Sequence, residues 1–263
     1  VTFPGLQTTA SAGDVRSAML AHGFWPMLRQ RPFDVMPGPE SQPRDIFVSA
    51  YDSAPLAPSA AQALGDRMES FRQGLTFLNA LLDGGKKVQL GIEAGDDTFS
   101  GVTEADITSF SGPHPAGNVG VQIHEVAPMN KGEVVWTIGL QDVANLGEGL
   151  TAGRFVGQRM VALTGSRSQP ALLSTTIGTP MAHIAKDRVS MEDTRVISGN
   201  VLTGTERGED GALGFFDHQV TCIPEGHEPL FFLTKGWLGP GFDKFSASRA
   251  FPTWLMPRGK EYD

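Results

Sequence analysis

Residues 44–60 read RDIFVSAYDSAPLAPSA, and their order decides the fold. Ile46, Phe47 and Val48 form a short unbroken apolar run, after which the chain breaks at Asp52 and Pro55. A strand with one wet face would alternate apolar and polar side chains. An unbroken run suits a strand of a parallel sheet, covered on both faces. A helical pattern then runs from about Ser59 to Leu82. Leu64, Met68, Phe71, Leu75, Leu78 and Leu82 recur at three- and four-residue steps and so share one stripe. Strand, break and amphipathic helix predict an α/β layer with a mostly parallel sheet.

The pattern continues in both directions. Upstream, SAGDVRSAMLAHG (11–23) reads as a helix capped by Ser11 or Asp14, with Val15, Ala18 and Met19 on one face and Gly23 at its end. Downstream, the turn DGGKK leads to strands at KVQLGI, ADITSF and EVVWTIGL, the last followed by a helix at QDVANLGEGL. Near Arg159 the texture changes. RMVALTG, a turn at SRSQP and ALLSTTI read as a hairpin, GTPMAHIAKD as a short helix and TRVISGN as another strand. That succession predicts a compact α+β module of the β-grasp kind. The remainder is β-like. In GFFDHQVTCI, Phe216, His218, Val220 and Cys222 are expected on one strand face, with PLFFLTKGW as the neighbouring strand.

Composition limits the function classes. The 263 residues are 40% apolar and 19% charged, as in a globular protein. A net charge of −8 leaves no basic stripe for a nucleic-acid backbone. The single cysteine, Cys222, excludes an internal disulfide framework and a cluster held by about four thiolates. No apolar run approaches the roughly 18 residues of a membrane span. The chain starts at Val1 without a signal-peptide pattern and stops at GKEYD, so a piece excised from a longer protein is expected.

The common catalytic signatures are missing: no GxGxxG after a strand, no GxxxxGK[ST], no G-x-S-x-G and no HExxH. Two stretches draw the eye instead. GPHPAGNVGVQIHEV (112–126) places His114 between two prolines where a strand of an open sheet ends, the usual edge of a ligand crevice. It reads either as a nucleotide- or quinone-sized binding edge or as a rigid structural turn. His114, His124 and Glu125 match no metal-ligand spacing, and on a strand His124 and Glu125 would point to opposite faces, so no metal site is expected. FWPMLRQRPF (24–33) sets aromatic rings beside guanidinium groups, which can hold a flat ring or an anionic headgroup. Its alternative is a stiff loop with Trp25 and Phe33 buried beneath it. Pro26 and Pro32 offer no N–H, so a flavin phosphate is not expected there.

These residues carry a resemblance. GFWPMLRQRPF (23–33), IFVSAYDSAPLAP (46–58), GPHPAGNVGVQIHEVAP (112–128), KGEVVWTIGLQDV (131–143), VISGNVLTGT (196–205) and KFSASR (244–249) resemble the A-subunit family of the Na+-translocating NADH:quinone oxidoreductase, with wording closest to its Bacteroidetes branch. The resemblance implies a Rossmann-like domain over 1–157, a β-grasp module over 158–206, and a β-rich segment over 207–263 that packs with an N-terminal lipoyl-like module. It also implies kinship with the NADH-binding flavoprotein subunit of respiratory complex I, whose glycine-rich flavin loop is replaced here by FWPMLRQRPF. The expected role is a peripheral, non-redox subunit on the cytoplasmic face of the inner membrane. NAD, FMN and FAD would be carried by other subunits of the complex, and membrane subunits would be its partners. Ubiquinone contact is implied at Leu28–Val35, with Arg29 and Arg31 as donors, Trp25 and Phe33 as walls, and His114 on the second loop. A scaffold without ligand and a stand-alone flavin- or nucleotide-dependent oxidoreductase are the other readings.

Overall fold

The apolar run at 46–48 is an inner strand of a five-stranded sheet. Strands β1 (Leu28–Arg31), β2 (Asp45–Ser49), β3 (Val88–Glu93), β4 (Ala105–Phe110) and β5 (Val135–Ile138) lie in the order β1-β5-β2-β3-β4. β2 runs parallel to β3 and β5, and β3 runs parallel to β4. β1 alone is antiparallel, pairing Leu28 with Ile138 and Arg31 with Val135 at the edge. The stretch 24–33 is therefore not a plain loop: a 3-10 turn at Trp25–Met27 leads into an edge strand. The computed structural model describes residues 2–227, 231–233, 236–241 and 246–251.

Helices cover both faces of this sheet. On one side lie α1 (Ala12–Ala21), α2 (Ala60–Leu64), α3 (Met68–Ala80) and α5 (Leu140–Ala152), whose Val15, Leu64, Phe71, Leu75 and Leu146 pack with Ile46 and Val48. On the other side α4 (Val119–Val126) sets Ile123 against Phe47 and Val135. Adjacent residues of β2 thus point into two separate cores, which is why 46–48 is apolar without alternation. At α1 the expected cap is a reciprocal box: the Ser11 hydroxyl accepts from the Asp14 N–H, and the Asp14 carboxylate accepts from the Ser11 N–H.

The single helix expected over 59–82 is two helices. Gly65 adopts φ 58 and ψ −125 and ends α2, and α3 restarts after Arg67. The apolar stripe bridges the break, since Leu64, Phe71, Leu75, Leu78 and Leu82 are all buried. His124 and Glu125, expected on a strand, lie exposed on helix α4.

A second five-stranded sheet follows: β6 (Gln158–Thr164), β7 (Ala171–Thr176), β8 (Thr194–Ser198), β9 (Thr205–Glu206) and β10 (Gln219–Pro224), ordered β7-β6-β10-β8-β9. The hairpin β6–β7 is antiparallel as expected, whereas β10 joins β6 in parallel. Helix α6 (Met181–Ala185) closes a small core with Val161, Leu163, Val196, Val220 and Cys222. Burial pushes the Cys222 thiol up to about 11, as befits a packing residue. The sheet extends past residue 206, because β10 sits in its middle. Phe216 and His218 precede β10 rather than sharing a strand face with Val220 and Cys222.

The chain divides by its contacts into Val1–Ile223 and Pro224–Asp263. In the second unit Phe232 lies against Phe231 and Trp237, with ring centroids at 5.2 and 5.9 Å. PLFFLTKGW falls partly outside the described residues. Within it, Phe232 and Leu233 form a turn and not the expected strand.

Helices α3 and α5 touch backbone to backbone. A Cβ on Gly74 would stand 2.0 Å from the Val143 carbonyl oxygen, and one on Gly147 would stand 1.9 Å from that of Ser70. Gly147→Ala is expected to destabilise by about 2–4 kcal/mol through forced separation of the helices. Gly120→Ala, on open helix surface with nothing within 4 Å, should be neutral or slightly stabilising in the same thermal melts.

Candidate functional site

A cavity of about 420 Å³ opens beyond the carboxyl ends of β2 and β5, between which the strand order reverses. Such a reversal of strand order at the carboxyl edge of an open sheet is the usual place for a crevice, although the connections after β2 and β5 both lead to helices on the same face. Ser49, Tyr51 and Asp52 line it from β2 and its loop, and Ile138, Gly139 and Asp142 from β5 and the start of α5. Asn200, Phe216 and His218 close it from the second sheet's connections.

Of the residues expected at a site, Arg29, Arg31 and His114 meet in this one cavity. Arg29 and Arg31 alternate on β1 and so face the same way. The Arg29 guanidinium lies 4.7 Å from the Phe216 ring centroid and donates to Asp34 at 3.1 Å. Arg31 Nε stands 3.6 Å from Asp34 and has no hydrogen-bond partner. His114 Nδ1 is 3.2 Å from the Ser53 hydroxyl, which accepts the Gly117 N–H at 2.8 Å. Gly117 has to be glycine: a Cβ there would lie 2.3 Å from the Tyr51 carbonyl oxygen.

Trp25 and Phe33 are not among the lining residues. Trp25 is buried, donates its ring N–H to the Pro37 carbonyl at 2.8 Å and meets Trp136 edge-on. Phe33 is 80% exposed. The two rings expected as walls therefore serve a core and a surface respectively, and the reading that buries both fails at Phe33. Among the described residues no group of three or more His, Cys, Asp or Glu side chains could hold a metal ion.

Two side-chain pairs at the cavity escaped the sequence reading. Asp52 and His218 pair at 2.9 Å across 166 positions of sequence. Burial would raise the Asp52 carboxyl, but the hydrogen bond and charge of His218, the Ala54 N–H and the charge of His114 outweigh it, and the group sits below its ordinary value. Asp142 and Arg159 pair at 2.9 Å, each with a side chain only 2% exposed. Burial dominates at Asp142 and holds its carboxyl above the usual range despite Arg159. An arginine inside the apolar strand RMVALT was the available signal for this pair.

Residues 10–155 match the family model described as the NqrA second alpha/beta domain. The chain belongs to the NqrA family. Residues 160–208 of this NqrA-family chain match the NQRA C-terminal domain as well. The chain is 41% identical over 247 residues to the A-subunit of the Na(+)-translocating NADH-quinone reductase of Yersinia pestis bv. Antiqua (strain Angola), covering 93% of this chain and 54% of that relative. The corresponding A-subunit of Alcanivorax borkumensis is 37% identical over 251 residues, covering 95% of this chain and 55% of the relative. The chain thus spans about half the length of the curated relatives it matches. An NAD+-reducing [NiFe]-hydrogenase in the H2-reduced state superposes with a TM-score of 0.55 at 12% identity, over 81% of this chain and 47% of the other. That likeness is one of fold.

In the NqrA-family chain the lowered Asp52 carboxyl ties the cavity rim to pH. Its stabilising contribution is present above the unfolded carboxylate value near 4 and is lost as pH falls through its lower folded value. Asp52→Asn is expected to melt below wild type at neutral pH. The gap should close as melts are repeated below about pH 4.

Proposed function

We propose that this chain is the central part of a peripheral, non-redox subunit of a Na+-translocating NADH:quinone reductase, supporting quinone reduction coupled to sodium export. The observation that carries this reading is the family match across both sheets, together with 41% identity over 93% of the chain to the Yersinia pestis A-subunit. No helix among the described residues is long and apolar enough to cross a membrane, so the sodium path would belong to partner subunits. In this reading the chain docks on those membrane subunits from the cytoplasmic side. NAD, FMN and FAD are carried elsewhere in the complex. The first sheet with its helices is a Rossmann-like domain, and the second a β-grasp module extended by β10 to about residue 223.

Ubiquinone contact is the finer part of the proposal. Its support is that Arg29, Arg31 and His114, from two separate sequence stretches, line one cavity. The Arg31 Nε–H, which lacks a hydrogen-bond partner, is a suitable donor to a quinone carbonyl. The test is a calorimetric titration of the full chain with a short-tailed, soluble ubiquinone. Saturable heat that Arg31→Ala weakens by about ten-fold or more, and Phe33→Ala leaves unchanged, is the expected outcome. Saturable heat indifferent to Arg31 would remove the cavity from the quinone path, and no heat would leave an assembly scaffold. NADH turnover by the chain alone would overturn the non-redox role.

A further inference from the structure

Arg159 lines the cavity, and Arg67, which does not, bonds Gln141 on its wall. Arg159 is 2% exposed, Arg67 7%, and the carboxylate beside them is that of Asp142 at 1%. Arg159 Nη2 donates to Asp142 Oδ1 and to the Phe215 carbonyl, both at 2.9 Å. Arg67 meets only neutral oxygens, Asn145 Oδ1 at 2.8 Å and Gln141 Oε1 at 3.3 Å. Of the other carboxylates near enough to act on Arg67, Glu148 is paired with Arg154 and Asp66 is exposed. Two buried guanidinium groups therefore share one buried carboxylate, in a chain whose overall charge is −8. The Nε–H of each is buried without a partner. A buried cation short of its counter-charge is strongly unfavourable, and an external anion would complete the set.

The cavity gives that anion a place. Arg159 lines it beside Gly139, Leu140 and Gln141, the opening of α5. This helix is 13 residues long, and its N-cap is a glycine that supplies no side-chain hydrogen bond. The Leu140 and Gln141 N–H groups and the positive dipole end thus lie at the same cavity as the under-bonded arginine, while the Asp142 N–H meets the Gly139 carbonyl at 3.0 Å. The unpartnered Nε–H of Arg159 beside the opening of the helix suits an oxyanion. At about 420 Å³ the space is near the small end of ligand pockets, so the rest of the ligand is compact.

We propose that Arg159 and the first turn of α5 bind the oxyanion of a small organic ligand, a phosphate monoester or a carboxylate, in the cavity between β2 and β5. Asp142 competes with the ligand for Arg159, so removing its charge strengthens binding. This proposal is independent of the quinone reading, which concerns a neutral ligand and Arg31.

The test is calorimetry on the full chain with inorganic phosphate, phenyl phosphate and benzoate, at constant ionic strength set with chloride. Wild type is expected to bind at least one of them saturably. Asp142→Asn should bind it about ten-fold tighter or more, because a competing charge at contact distance is gone. Arg159→Lys, which keeps the charge but loses the fork, should bind it about ten-fold more weakly or not at all. Tighter binding of phenyl phosphate than of benzoate assigns a phosphate ester, and the reverse assigns a carboxylate. A purely structural Asp142–Arg159 pair could not produce a gain on losing Asp142. Equal responses in all three proteins, no saturable binding, or an Asp142→Asn variant no tighter than wild type would each overturn the proposal. Should Arg159→Lys fail to fold, the comparison with Asp142→Asn decides alone.

Discussion

The carboxamide of Gln141 ties the helix over the first sheet to an edge of the second. Gln141 donates to the Met160 carbonyl at 2.9 Å and accepts the Met160 N–H at 2.7 Å, pairing with β6 as a neighbouring strand would. The need for it is plain from the register. β10 pairs with β6 only from Ala162 to Thr164, which leaves the earlier backbone groups of β6 open on that side. One turn further along α5, Asn145 donates to the Gln158 carbonyl at 3.0 Å. Each such group left buried and unbonded would cost about 1–3 kcal/mol, so the face of α5 that carries these amides holds the second sheet in position. The cavity depends on this contact, since its walls come from both sheets and its floor is the beginning of the same helix.

Much of the first sheet was legible because its signals are local. A run of apolar residues that does not alternate, a serine three residues before an aspartate, and a stripe at three- and four-residue steps each have one physical cause. The failures were also local in form but had distant causes. The stripe from Leu64 to Leu82 survives a helix break because Gly65 turns the chain without changing which side faces the sheet. VGVQIHEV alternates enough to pass as a strand, yet Ile123 must reach Phe47 across the sheet's second face, and a helix after Asn118 does that. For the same reason the middle strand β10 went unplaced: its partners β6 and β8 lie far back in the chain.

The site was half legible. Side chains that looked unusual where they stand, such as Arg29, Arg31 and His114, do converge. Those that looked ordinary, such as Asp52 at a chain break and His218 before a strand, acquire meaning only from each other. Trp25 and Phe33 show the opposite error. An aromatic residue near a charged one suggests recognition, but Trp25 is needed against Trp136 beneath the sheet edge, where Arg16 also lies 5.4 Å from its ring. Proximity in sequence placed the two rings with the arginines; the turn before β1 and the turn after it carry them away.

The edge strand β1 has a consequence for how this sequence can drift. Side chains on a strand alternate, so the two arginines reach the cavity only while Leu28 and Gln30 point the other way. Substitutions in this stretch act one at a time, but a gain or loss of one residue between the Trp25–Met27 turn and Arg29 would exchange the whole set. It would send both guanidinium groups out of the cavity and turn Leu28, now fully buried, toward it. Length between that turn and the strand is therefore constrained more tightly than composition, and insertions should be tolerated in the exposed turn beyond Arg31 and not before it.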